Sequence, residues 1–153
     1  MIDNELQDLI MRLRIVYFAM LGLLLVQAAV VEFVLLDIEG GQCVGDAQLE
    51  FVSECVAIAL TLGGAYLALR LIKFKCVMAP VLEDPIEGYL PMSVTRMMLL
   101  FFPMGINIFG YMLFLNASFC WMGAMLLLCW PFLYPTAERF YAETQTNPEN
   151  PAS

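Results

Sequence analysis

Few residues in this chain are equipped for chemistry, and two of them are carboxylates set inside apolar runs, Glu32 and Glu54. An ionised carboxylate in hydrocarbon is costly, so it reaches water, shares a proton with a second acid or holds a cation. At a helical rise of 1.5 Å per residue each lies about 10 Å from the middle of its run. The two heights match, and no Lys or Arg falls on that side of the chain to neutralise either one. A matched pair on neighbouring helices predicts a proton- or cation-binding site; the plainer alternative is that each side chain reaches the aqueous boundary by itself. Glu54 is the stronger candidate. Steps of three and four from it reach Ala57, Thr61, Gly64 or Ala65, and Ala68, a stripe of small residues that predicts a face packed into a bundle. Glu32 follows Ala28 and Ala29, a weaker version of the same pattern.

Nearer the middle of the runs stand Gln27, Thr61 and Asn107, one on each of the first three. Asn107 shares a face with Pro103, Gly110 and Phe114, so it is expected to look inward. The ordinary role of such groups is an interhelical hydrogen bond worth about 0.6 kcal/mol. A hydrated path leading from Glu54 is the sharper alternative, but no acidic residue continues it. Of the five cysteines, Cys43, Cys55 and Cys120 fall towards the same side as the two glutamates. There is no Cys-x-x-Cys pair, so stepwise disulfide transfer is not expected. A structural disulfide from Cys43 to Cys55 or Cys120 is open to the chain if that side is oxidising. The absence of histidine removes bis-His haem, His-ligated zinc and every His-based triad. No catalytic residue, metal site or cofactor is expected, and the chain does not read as an enzyme.

The elements that must position these groups follow from composition. Of 153 residues 61% are hydrophobic and 14% charged, with a mean hydropathy of +0.79. A soluble domain carries roughly 25% charged residues, so there is too little polar surface here to cover a globule in water. A spanning helix needs about 20 mainly apolar residues. Four stretches qualify, at about 15–36, 51–72, 97–115 and 117–134. The expected fold is all-α, a four-helix transmembrane bundle connected up-down-up-down over residues 1–143, with a disordered tail over 144–153. Asp3 or Asn4 can cap a helix running straight into the first span, which is too long for a cleaved signal peptide. The second and third spans are joined across 73–93, where Pro80, Pro85 and Pro91 are expected to prevent a continuous helix. Only Asn116 and its neighbours separate the last two spans, which predicts a tight antiparallel hairpin.

All seven basic residues, Arg12, Arg14, Arg70, Lys73, Lys75, Arg96 and Arg139, fall on one face of that topology. Lys and Arg are retained in cytoplasmic loops, so both termini are expected in the cytoplasm. Six acids, Glu32, Asp37, Glu39, Asp46, Glu50 and Glu54, fall on the other face, which therefore holds most of the net charge of −8.

The run Arg12-Leu13-Arg14-Ile15-Val16-Tyr17-Phe18-Ala19 and the run Tyr134-Pro135-Thr136-Ala137-Glu138-Arg139-Phe140 give the chain a layout that resembles uncharacterised small four-span bacterial inner-membrane proteins. That resemblance implies a multi-pass bacterial inner-membrane setting and no activity. The expected role is a non-enzymatic accessory, regulatory or oligomeric helix-packing subunit. Its partners would be the lipid bilayer, further copies of itself or a larger membrane complex, and no nucleic acid is implied. The alternative is a small oligomeric proton or cation channel or transporter using Glu54 and Glu32.

Overall fold

A computed structural model of the chain describes residues 2–35, 37, 40–74, 79, 81 and 83–144. Its regular structure among these residues is entirely helical, in five α-helices: α1 Ile2–Val30, α2 Ala47–Arg70, α3 Pro85–Phe114, α4 Ala117–Cys129 and α5 Ala137–Thr144. Three of them are long and apolar enough to cross a membrane, and α4 with its 3-10 extension, Trp130–Leu133, raises the number to four if it and α5 form one bent span. By helical rise α4 and that extension reach about 27 Å, close to the ~30 Å of a hydrocarbon core.

Helix starts are fixed by side-chain acceptors for otherwise orphaned N–H groups. Asp46 accepts from the Leu49 N–H, Asp84 from those of Ile86 and Glu87, and Asn116 from that of Ser118. The expected interruption is present, since α2 ends at Arg70 and α3 starts at Pro85, but two of the prolines belong to α3 itself; Pro80 lies outside the described residues. Pro85 occupies the first turn of α3 and Pro91 lies inside it, so the helix begins well before residue 97. Proline in a first turn sacrifices no hydrogen bond and its fixed φ suits a helix. Helix α1 runs without interruption from the polar lead into the apolar run, and then loosens into a π-helical turn, Val31–Leu35, which carries Glu32. Of the segment expected to be disordered, residue 144 closes α5 and is buried; residues 145–153 lie outside the described chain.

Helix α3 is the hub, packing against α1, α2 and α4. The second of its internal prolines explains the closest contact. Pro103 has no N–H to offer the Leu99 carbonyl, and α2 covers that carbonyl with Gly64, where a Cβ would stand 2.6 Å from the Leu99 oxygen and 2.9 Å from Pro103 Cγ. A side chain at position 64 would force the helices apart. Apolar packing forms three levels. Leu6, Leu9 and Leu13 of α1 meet Tyr89, Met92 and Phe140 at one end; Leu24, Met97, Leu100, Leu126 and Trp130 fill the middle; Ala57, Phe114, Phe119 and Met122 close the other end. The outer faces are apolar too: Phe33, Phe51, Phe102, Trp121, Leu128 and Phe132 are each more than 60% exposed. Water does not tolerate such a surface, whereas lipid does.

Candidate functional site

The small stripe of α2 faces inward as its spacing requires: Ala57, Thr61, Gly64 and Ala68 are all buried. At its centre Asn107 Nδ2 of α3 donates to Thr61 Oγ1 at 2.8 Å, a buried bond between helices. Gln27 Nε2 donates to the Gly105 carbonyl at 3.3 Å, tying α1 to α3 half a turn away. The three midplane polar residues thus join helix to helix through α3, two of them directly to each other. Asn107 is 1% exposed and its Oδ1 has no partner.

Helices α1 and α2, which carry the regions of the two glutamates, share no extended packing with each other, and α3 lies against both. Glu54 is half-buried, Glu32 is exposed, and neither makes a hydrogen bond or ion pair among the described residues. Those residues also contain no cluster of His, Cys, Asp or Glu able to hold a metal. Cys43, Cys55, Cys120 and Cys129 are free thiols here, and the conditional disulfide from Cys43 to Cys55 or Cys120 is not present in this structure.

The acid-only end, where these glutamates lie, is closed instead by backbone. Gly41 and Cys43 N–H groups donate to the Met112 and Leu113 carbonyls at 2.9 and 3.1 Å, capping the C-terminus of α3 from a loop. Gly41 reaches this contact at φ 74°, and Leu115 turns the chain at φ 52° with its N–H on the Tyr111 carbonyl. Asn116 Nδ2 donates to Glu50 Oε1 at 2.8 Å, joining the α3–α4 turn to the first turn of α2.

A second polar cluster lies at the opposite, mixed-charge end. Arg96, which the sequence sets beside the expected third span on the basic face, is 3% exposed within α3. Its Nε donates to the Ala68 carbonyl at 2.9 Å, and its Nη1 donates to both carboxylate oxygens of Glu143 at 2.9 and 3.0 Å. Glu143 also accepts from Arg139 one turn earlier in α5 and from the Tyr89 hydroxyl at 3.1 Å. One carboxylate therefore fastens the short last helix to the hub, compensating a guanidinium that would otherwise be stranded in the interior. The signal for Arg96 was present in the sequence. It sits on the same three- and four-residue spacing as Leu100, Pro103, Asn107, Gly110 and Phe114, the buried face of α3. Its acid partner lies 47 residues away and no local pattern points to it.

Between α1 and α4, which both pack on α3 but have no extended contact with each other, a groove of about 460 Å³ opens to the side of the bundle. Asn107 lies in its floor, Ala28 and Ala29 in one wall, Gly123 and Ala124 in the other, and Glu32 at one end. No protein-family model, curated protein or solved structure matches the chain. The four-span layout seen in the sequence accordingly stands as a helical protein with three or four candidate membrane spans and no family beyond that.

Proposed function

We propose that this protein is a non-enzymatic membrane subunit that acts through contacts between helices, with further copies of itself or within a larger complex. In this reading it sits in a bacterial inner membrane with both termini in the cytoplasm. The observation that carries it is the Asn107–Thr61 bond, buried between α2 and α3, in which polar groups within the apolar helices are used to join one helix to another. Three grooves along the bundle are lined mainly by apolar side chains, as expected of surfaces that receive lipid or other helices. The ion-path alternative uses Glu54, with Glu32 as a second carboxylate and Asn107 and Gln27 along the route; the bonds of Asn107 and Gln27 to neighbouring helices favour the packing reading over it.

The test is native electrophoresis in mild detergent combined with crosslinking in intact membranes. A species larger than the 17.2 kDa chain and its detergent is expected, with crosslinks through the outer faces of α1, α2 or α4. A strictly monomeric chain with no crosslinked neighbour in either setting overturns the proposal.

A further inference from the structure

The groove between α1 and α4 holds two polar groups that its own surroundings leave unanswered. Asn107 in the floor is almost completely buried, with one end of its amide bonded to Thr61 and Oδ1 left without a partner. Turning the amide over would exchange the free acceptor for a free donor; one end stays unpaired either way. Glu32 closes the groove about one turn beyond Asn107, on a π-helical turn, a rare conformation frequent at functional positions. Every described Lys and Arg lies at the other end of the bundle, so nothing among the described residues balances this carboxylate. The walls are made of small residues, Ala28, Ala29, Gly123 and Ala124, which let another backbone come close.

From these features we infer that the groove is the docking site of a transmembrane helix from a different protein. That helix carries Lys or Arg at the level of Glu32, and Ser, Thr or another polar side chain about one turn deeper, facing Asn107. The inference rests on the proposed function and names the partner. A second copy in the same orientation does not fit, because its half of the membrane at this level contributes only more carboxylates. A lipid chain does not fit either, since it offers neither a cation nor a hydrogen-bonding group at those two depths. The small walls and the paired polar groups together describe a helix with one cationic and one polar position on the same face.

Cys120 provides a reporter, because it is exposed on the α4 wall of the groove, while Cys55 is exposed on α2 outside it. Labelling with N-ethylmaleimide, resolved site by site by mass spectrometry, is compared between native membranes and dilute purified protein. The ratio of Cys120 to Cys55 labelling should be at least fivefold lower in native membranes. Replacing the exposed, unbonded Glu32 by Lys should restore it to the purified value without changing the yield of folded chain. Equal ratios in the two settings overturn the inference, as does protection that survives E32K. Protection that appears in purified protein as its concentration rises identifies a second copy and also overturns it. If a native complex persists with Cys120 fully reactive, this inference falls and the proposed function stands; a strictly monomeric chain removes both.

Discussion

The two ends of the bundle solve the same problem, closing helix termini, in opposite ways. At the mixed-charge end a buried carboxylate takes hydrogen bonds from Arg96, Arg139 and Tyr89, and charge is drawn into the interior because its counter-charge comes with it. At the acid-only end no counter-charge is at hand. Closure there relies on neutral donors, the Gly41 and Cys43 amides and the Asn116 side chain, while Glu32 stays outside and Glu54 is only half covered. The difference teaches that burial of a charge in this fold follows the availability of a partner, and hydropathy alone does not decide it.

That contrast can be broken most sharply at Glu143. E143A leaves Arg96 buried without compensation and should cost about 3–5 kcal/mol, since the loss of one partner strands the other. Chemical unfolding in mild detergent measures it, and limited proteolysis should newly cut the 134–136 link as α5 is released. An unchanged stability would mean that the ion pair contributes nothing to docking the last helix. Next in size is Gly64. G64L drives a Cβ into the Leu99 carbonyl and should destabilise the chain by about 1–3 kcal/mol, the usual range for overpacking. A smaller effect is expected at mid-depth. A double-mutant cycle of N107A and T61V should return a coupling of about 0.6 kcal/mol, below ~2, as for other hydrogen bonds between membrane helices. The smallest effect belongs to the acid-only end. E54Q should change stability by less than about 0.5 kcal/mol, since no bond is lost. It should also leave proton flux into liposomes at the wild-type level, and a flux abolished by E54Q would restore the ion-path reading.

Much of the fold was legible because it depends on local regularities. The apolar runs, the inward stripe from Ala57 to Ala68 and the inward Asn107 all follow from helical spacing, and they hold in the structure. The interruption between the second and third spans was legible in the prolines, whereas the early start of α3 was not: Asp84 sets it, and Pro85 and Pro91 lie in the helix that follows. The burial of Arg96 was not read from its charge. Counting basic residues says which end of the bundle a side chain belongs to, whereas the spacing of its own helix places it on the buried face.

By itself the sequence determined that this is a helical, lipid-compatible chain with its cations gathered towards one end, because hydrophobicity and charge act residue by residue. Only the tertiary structure decided which polar groups meet. It joined Arg96 to Glu143 and Asn107 to Thr61, and it set α3 against both α1 and α2. Those pairings span 46 residues or more, and their distances are set by which helix takes the hub position, a choice that depends on packing between Gly64, Pro103 and their neighbours and on no single stretch of chain.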